Sequence, residues 1–332
     1  MISVAVKDAS EVAQARREAT ALARNSGFNE SDSGRAALVA TELATNLVKH
    51  GGGGELLVGS YQDNLGAGIE LIALDCGPGM ANVEACLKDG HSSAGTAGNG
   101  LGAVMRQSQV VNIASWPGVG TAVLARLEAG TPKLKGAAPH ADWGAVSIAM
   151  PGQDVCGDSW AVTANGDGMT LFLADGLGHG HDAAEAAVEA TRLFHRFGGH
   201  QVATLLDYIH GGLRATRGAA VSVGRFDPAT HKVAFAGIGN VAGAVAENGA
   251  GLKRMVTMPG TAGHNARKIQ AFDYPFRHGL IILASDGIST SWNLDRYPGA
   301  QSMHPTLVAA MLYRDFGRHR DDATVVVGKS AS

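Results

Sequence analysis

The sequence predicts an α+β protein built from two layered domains. The chain has 332 residues, of which 45% are hydrophobic, so it can bury the cores of two domains of ordinary size. The periodic apolar pattern is broken at residues 128–144, "EAGTPKLKGAAPHADWG", where Gly, Pro, Ala and Lys accumulate. Helical and strand-like patterns occur together on both sides of this break. We therefore expect a first domain over 1–130, a linker over 131–142 and a second domain over 143–332.

The composition excludes several classes of protein. The net charge of -3 and the scattered Lys and Arg residues offer no basic stripe, so nucleic acid is not an expected partner. The three cysteines, Cys76, Cys86 and Cys156, lack paired CxxC spacing, which argues against structural zinc and against a disulfide framework. Neither a signal peptide nor a membrane-spanning apolar run is recognisable. We expect a cytoplasmic protein with no membrane partner.

Two helices open the first domain. Asp8 and Glu11 have the spacing of a capping box before "EVAQARREATALAR", which indicates a helix start. In the second helical pattern, an apolar stripe is bordered by Glu42 and Asn46, which are four residues apart and share one face. Taken alone, this polar pair is better explained by a solvated helix face than by a site.

Three later segments of the first domain carry glycine in turns. The strand-like run "GIELIALDCGPGM" delivers Asp75 into a turn with Gly77 and Gly79. In "GTAGNGLGAVMRQS", residues 98–102 contain Gly98, Gly100, Leu101 and Gly102 and precede a helix, so backbone N–H groups at its start could hold phosphate oxygens. Gly120 and Thr121 follow in a closing hairpin. One such element is weak evidence, whereas their order along the chain is specific.

In this order the motifs of residues 1–128 resemble those of the GHKL (Bergerat-fold) ATPases, and most of all the compact anti-sigma-factor and stressosome-type serine kinases. The resemblance implies an α/β sandwich that binds ATP with Mg²⁺. It makes Glu42 the general base, Asn46 the Mg²⁺ ligand and Asp75 the acceptor for the adenine amino group. The remaining nucleotide-binding positions that it implies are Gly77, Gly79, Gly98, Gly100, Leu101, Gly102 and Thr121.

Aspartates stand at strand ends or turns throughout the second domain. They are Asp158 in "CGDS", Asp175 in "ADG", Asp286 in "SDG", and Asp321 with Asp322 in "RDDAT". Turn chemistry explains any one of them. If they converge, their carboxylates repel one another unless cations neutralise them, so convergence implies hard divalent metals.

Over nearly all of residues 137–328 the chain resembles the metal-dependent (PPM-type) protein serine/threonine phosphatases, specifically the SpoIIE-like branch. The motifs "GD", "ADGLGHG", "AGIGN", "ASDGI" and "DDAT" carry this resemblance. It implies an α-β-β-α sandwich that holds two Mn²⁺ or Mg²⁺ ions, with Asp175 bridging them and the Gly176 carbonyl nearby. Asp158, Asp286 and Asp321 complete the implied metal shell, and Asp175 and Asp286 are the implied catalytic residues.

Three histidine or asparagine positions of this domain receive separate interpretations. Eukaryotic relatives carry a histidine where this chain has Leu177, so their proposed general acid is not matched. His179 fits the SpoIIE-like branch, with its role left open between shaping the turn, donating a proton and contacting phosphate. We expect His181 to begin a helix and Asn240, in "GIGN", to be structural.

Together the two resemblances imply a bifunctional regulator of a partner-switching system. It phosphorylates Ser or Thr of a STAS-domain partner with ATP and dephosphorylates phosphoserine or phosphothreonine with a metal-activated water. In the alternative interpretation, the first domain is a non-catalytic module that binds ATP or a partner and regulates the phosphatase. A homodimer is compatible with both.

Overall fold

The computed structural model describes residues 1–63, 66–83, 100–130, 141–166, 168–247 and 251–330. The chain divides into two compact units, Met1–Ala137 and Ala138–Ser332. Among the described residues, no helix combines the length and the apolar character that a membrane span requires.

The first unit is a five-stranded antiparallel sheet with helices on one face. The sheet has the strand order β1-β2-β3-β5-β4. Its described elements are β1 (Ile2–Val6), α1 (Ala9–Asn25), α2 (Glu30–His50), β2 (Gly54–Asp63), β3 (Gly66–Leu74), α3 (Gly100–Gln107), β4 (Val110–Trp116) and β5 (Gly120–Leu127).

Local sequence signals account for the two long helices of this unit. Asp8 is the N-cap of α1, and its reciprocal hydrogen bonds with Glu11 form the predicted capping box. The apolar stripe of α2, which includes Leu43 and Leu47, is buried against the sheet together with the alanines of α1. Because the stripe faces the sheet, the polar pair Glu42 and Asn46 lies at its half-buried border.

The second unit contains two five-stranded antiparallel sheets, ordered β13-β10-β9-β8-β7 and β12-β11-β14-β15-β6. Its elements are β6 (Ala141–Ile148), β7 (Asp158–Asn165), β8 (Gly168–Gly176), α4 (His181–Phe197), α5 (Val202–Gly212), a 3-10 turn (Leu213–Ala215), β9 (Ala219–Asp227), β10 (Lys232–Ile238), β11 (Ala242–Glu247), β12 (Gly251–Met255), β13 (Phe272–Pro275), β14 (Gly279–Ala284), a second 3-10 turn (Ala300–Ser302), α6 (Pro305–Phe316) and β15 (Ala323–Ser330).

The two sheets of this unit form the middle of a four-layer sandwich. A core with Leu171 and Phe235 from one sheet and Ile281 and Val326 from the other fills the space between them. The helices α4 and α5 cover the outer face of the first sheet through a second core. On the second sheet, α6 packs against β6 and β15. An antiparallel sheet sandwich with helices on its outer faces confirms the predicted fold class.

Candidate active sites

The first candidate site lies where β3 ends and β5 begins. The Asp75 carboxylate accepts hydrogen bonds from the backbone N–H groups of Gly77 (2.9 Å) and Thr121 (3.1 Å). The N–H of Asp75 donates in turn to the Thr121 carbonyl at 3.0 Å. These bonds tie the turn after β3 to the hairpin before β5, so they fix the orientation of the carboxylate. The structure thus brings Asp75, Gly77 and Thr121 together.

Two glycines permit this close approach of backbones. Gly79 has a φ of +69° and Gly120 a φ of +109°, which disfavour other residues. A Cβ at Gly79 would lie 2.1 Å from the Trp116 carbonyl oxygen, and one at Gly120 would lie 2.2 Å from the Asp75 carbonyl oxygen. The positive φ values and the crowding both explain why glycine is required in these turns.

Sequence reasoning missed the contribution of the glycine run at residues 51–54. A Cβ at Gly51 would lie 2.7 Å from the Asp75 Cβ, and one at Gly77 would lie 2.9 Å from the Gly51 Cα. The run therefore ends α2 and lets that end pack directly against the Asp75 turn. The four consecutive glycines were the visible signal, but the Asp75 that Gly51 contacts is 24 residues away in sequence, so the contact appears only in the fold.

The start of α3 lies against the polar border of α2. A Cβ at Gly100 would be 2.9 Å from Glu42 Oε2 and 3.5 Å from Asn46 Oδ1. Glycine therefore leaves room between the first residue of α3 and these two side chains. Leu101 is half-buried and Gly102 is buried in the same helix, whereas Gly98 lies outside the described residues.

The second candidate site is built around two aspartates on neighbouring strands. Asp158 begins β7, Asp175 lies near the end of β8, and the two are direct partners in the antiparallel register. Asp158 is only 7% exposed, and no backbone N–H group donates to its carboxylate. The hydroxyl groups of Ser285 and Thr324 face this carboxylate and offset part of the rise in its pKa.

Burial and like charge raise the pKa values of these acids. Burial is the main cause for Asp158, followed by the charges of Asp322 and Asp286. Burial also dominates the raised pKa of Asp175, with further contributions from Asp158, Asp286 and Asp321. In the absence of a cation, these carboxyl groups therefore stay protonated up to a higher pH than an ordinary aspartate does.

Asp286 joins the pair from the end of β14. Its backbone N–H donates to the Asp175 carboxylate, and the Asn240 side-chain amide donates to Asp286 Oδ2. Burial and the charge of Asp321 raise the pKa of Asp286, while Arg318 and the hydrogen bond with Asp175 lower it in part. Asn240, which the sequence analysis interpreted as structural, thus contacts a predicted site residue.

The two adjacent aspartates before β15 have different surroundings. Asp322 is buried and accepts backbone hydrogen bonds from Met150 (2.8 Å) and Gly157 (2.9 Å), so it holds the loop between β6 and β7. Asp321 is half-buried and acts by charge on Asp175 and Asp286. The sequence analysis placed Asp321, and not Asp322, in the metal shell.

The turn after Asp175 approaches the start of α4. A Cβ at Gly176 would lie 2.0 Å from the Ala183 carbonyl oxygen, so glycine is needed there. His179 is exposed, and His181 is the first residue of α4 as expected. The exposed Leu177 borders a cavity of about 490 Å³. Its described lining residues are Leu177, Asp182, Glu185, Ala215, Thr216, Arg217 and His264.

The acidic residues fit hard divalent cations by their chemistry. Carboxylate oxygens are the ligands that Mg²⁺ and Mn²⁺ prefer, and a buried carboxylate such as that of Asp158 is stabilised by a cation. Within the part of the chain that the structure describes, no three His, Cys, Asp or Glu side chains are close enough to form a complete metal cluster. Since Mg²⁺ is usually bound by one or two carboxylates and retains water molecules, the donor set still fits.

Comparison with known proteins defines the class of the first unit. Residues 5–127 match the family model of the histidine kinase-like ATPase domain. The serine/threonine-protein kinase RsbT of Bacillus subtilis (strain 168) is 30% identical over 115 residues, which are 35% of this chain and 86% of RsbT. Through these residues the chain belongs to the histidine kinase-like ATPase family.

A second relative is a phosphatase. The phosphoserine phosphatase RsbX of the same organism is 26% identical over 90 residues, which are 27% of this chain and 45% of RsbX. The crystal structure of RsbX in complex with magnesium is similar with a TM-score of 0.51 and 17% identity, covering 59% of this chain and 98% of that chain. The first unit alone is too short to supply this share, so the match shows the fold of the second unit. The comparisons thus show a histidine kinase-like ATPase domain in the first unit and a fold similar to that of RsbX in the second.

Proposed function

We propose that the chain is a bifunctional switch enzyme with a kinase in residues 1–130 and a metal-dependent phosphatase in residues 143–332, joined by a linker over 131–142. The kinase binds ATP with Mg²⁺ and phosphorylates Ser or Thr of a protein partner. The phosphatase holds two Mn²⁺ or Mg²⁺ ions and removes the phosphate again.

The observation that carries this proposal is the Asp158 carboxylate. It is buried, accepts no backbone hydrogen bond and stands opposite Asp175 in the strand register. In its ionised form such a group is unfavourable unless a cation compensates it, which supports a metal-binding role for Asp158.

In the phosphatase, this chain's residues hold the cations and shape the site. Asp158, Asp175, Asp286 and Asp321 supply carboxylate oxygens, with the Gly176 carbonyl as a further donor. Bound divalent ions supply a water of lowered pKa and charge stabilisation for phosphate-ester hydrolysis. Asp322 keeps the loop before β7 in place through its two backbone hydrogen bonds.

In the kinase, Glu42 accepts the proton of the attacking hydroxyl group and Asn46 supplies an amide oxygen to Mg²⁺. Asp75, oriented by Gly77 and Thr121, accepts a hydrogen bond from the adenine amino group. The position of Glu42 beside Gly100 supports a kinase over a non-catalytic binding module, because binding alone requires no base at the start of α3.

The names of the two relatives support an Rsb-type partner. We propose a STAS-domain protein that carries the phosphorylated Ser or Thr. A cytoplasmic location and a possible homodimer stay predictions from the sequence.

The test measures the two half-reactions separately with a purified STAS-domain partner. With labelled ATP and Mg²⁺, Glu42→Gln is expected to lose phosphoryl transfer while it retains ATP binding. With phosphorylated partner and Mn²⁺, Asp286→Asn is expected to lose phosphate release. Glu30→Gln, at an exposed position of the same helix, and the exposed Asp227→Asn serve as matched controls.

The outcomes test the proposed kinase and the proposed phosphatase independently. Transfer of label by Glu42→Gln at the wild-type rate would remove Glu42 from the role of base. If the wild-type chain released phosphate but transferred none to any candidate partner, the first unit would be a regulatory module. Metal-independent phosphate release would contradict the proposed phosphatase.

A further inference from the structure

The Asp286 carboxylate lies between a neutral hydrogen-bond donor and two other acids. The side-chain amide of Asn240 donates to its Oδ2 atom. Asp175 shares a hydrogen bond with the same carboxyl group, and the charge of Asp321 acts on it as well. Arg318 also acts on Asp286 through its positive charge. Of the two hydrogen-bond partners of this carboxyl group, Asn240 and Asp175, Asn240 is the neutral one.

The register of two neighbouring strands places Asn240 beside Asp286. β11 and β14 are antiparallel, with Ala242 opposite Ala284. Asn240 stands two residues before Ala242 and Asp286 two residues after Ala284, so both lie at the same end of the strand pair. Their contact follows directly from this register.

The turn that carries Asn240 is fixed by its backbone. The N–H of Gly239 donates to the Met258 carbonyl at 2.8 Å, and the N–H of Met258 donates to the Gly237 carbonyl at 2.8 Å. Gly239 has a φ of +91°, and a Cβ there would lie 2.7 Å from the Ala220 Cβ. Because these two hydrogen bonds fix the backbone just before Asn240, its side-chain amide is positioned to reach Asp286.

We propose that Asn240 is a positioning residue of the phosphatase site, which orients the Asp286 carboxylate for a divalent cation. This inference rests on the proposed phosphatase function. An ionised carboxylate has about four lone-pair sites, so one hydrogen bond at Oδ2 leaves others for a metal. A cationic donor in this place would neutralise the charge that attracts the metal, and a carboxylate would add repulsion. The amide avoids both effects.

The experiment removes the donor while it keeps the size of the side chain. Asn240→Leu in the full chain is expected to weaken Mn²⁺ binding by about 10- to 100-fold, as is typical when a partner of a metal ligand is lost. Isothermal titration with Mn²⁺ alone measures this affinity. With p-nitrophenyl phosphate as substrate, kcat is expected to fall at limiting Mn²⁺, with KM unchanged, because Asn240 acts through Asp286.

Two further variants distinguish the loss of the amide donor from a general effect of substitution. Asn240→Gln retains the amide donor on a longer side chain and is expected to recover part of the Mn²⁺ affinity. Asn265→Leu changes another exposed asparagine in the same unit and is expected to bind Mn²⁺ like the wild type. Melting curves without metal verify that each variant is folded.

Each outcome has a definite meaning. Wild-type Mn²⁺ affinity in folded Asn240→Leu overturns the positioning role, and so does an equal loss in the Leu and Gln variants. If the wild-type chain itself bound no Mn²⁺, the proposed metal-dependent phosphatase would fall together with the inference. Intact binding by the wild type and by Asn240→Leu overturns the inference alone.

Discussion

At the scale of single residues, neighbouring aspartates serve different purposes because their surroundings differ. Asp322 accepts two backbone hydrogen bonds and holds a loop. Asp158 is also buried but accepts no backbone hydrogen bond. A carboxylate that is satisfied by backbone donors is a structural element, whereas one without backbone donors is costly to ionise unless a cation is present. The hydrogen-bond partners, and not the residue type, separate these two roles.

The raised pKa values of Asp158 and Asp175 predict that Mn²⁺ binding depends on pH. A carboxyl group with a raised pKa keeps its proton to higher pH, and a metal must displace that proton. Affinity is therefore expected to rise from about pH 6 to about pH 8, by up to about tenfold per pH unit for each displaced proton. Titration calorimetry with Mn²⁺ at both pH values measures this change.

The metal-free chain provides the control for this prediction. Between the unfolded pKa and the raised folded pKa, the folded state binds more protons than the unfolded state, so stability falls as pH rises. The second unit without metal is thus expected to melt at a lower temperature near pH 8 than near pH 6, with the difference reversed by saturating Mn²⁺. An affinity for Mn²⁺ that stays constant over this range would contradict the protonation of these acids.

At the scale of elements, the first residue of α3 decides how close that helix comes to α2. Gly100 leaves space in front of Glu42 Oε2 and Asn46 Oδ1 that a methyl group would enter. The end of α2 is controlled similarly, because Gly51 allows it to touch the Asp75 turn. At both ends of the candidate nucleotide site, a glycine without a side chain thus allows the close approach of its neighbours.

We predict that Gly100→Ala lowers phosphoryl transfer to the partner by at least about tenfold, because it displaces the proposed base and general-base catalysis contributes about 10²–10⁴. The helix itself is not weakened, since Ala is favoured over Gly in helices by about 1 kcal/mol. The labelled-ATP assay and a melting curve on the same preparation separate the two effects.

Gly34→Ala is the matched control for this helix change. Gly34 lies inside α2, and a Cβ there meets no atom within 4 Å. This variant is expected to gain about 0.5–1 kcal/mol of stability with unchanged phosphoryl transfer. If Gly100→Ala also retained full transfer, the gap between α3 and Glu42 would have no part in catalysis.

At the scale of the whole molecule, the two proposed activities on one chain would set the phosphorylation level of the partner. Joining two modules in one chain raises the effective concentration of each beside the other, to about millimolar for short linkers in general. The proposed enzymes can then act on the same hydroxyl group of the same partner, and the ratio of their rates fixes the fraction of partner that is phosphorylated.

We predict that Asp286→Asn lets the phosphorylated partner accumulate in the presence of ATP, Mg²⁺ and Mn²⁺, and that Glu42→Gln yields none. A phosphate-affinity gel quantifies the partner, and mass spectrometry maps the modified residue. The wild-type chain is expected to give an intermediate level at the residue that Asp286→Asn modifies. If kinase and phosphatase acted on different residues of the partner, both could be enzymes, but the opposed switch would be refuted.

Local features of the fold were readable from the sequence because they depend on near neighbours. The capping box of Asp8 and Glu11 starts α1 where predicted. Asn165 and Gly168, two residues of a type common at hairpin turns, are opposite each other in the register of β7 and β8. Apolar periodicity predicted which face of α2 is buried. Each signal operates within one helical turn or one hairpin, so the tertiary structure was not needed to recognise it.

The sequence by itself determined the two architectures, the strand-end aspartates and the order of the glycine turns. Only the tertiary structure decided that Asp322 holds a loop while Asp321 faces the acids, that Gly51 packs against Asp75, and that Asn240 binds Asp286. These contacts join residues far apart in the chain, and they follow from strand register and helix packing across whole sheets. Because a register shift of one residue moves every side chain to the opposite face, no local pattern could have specified them.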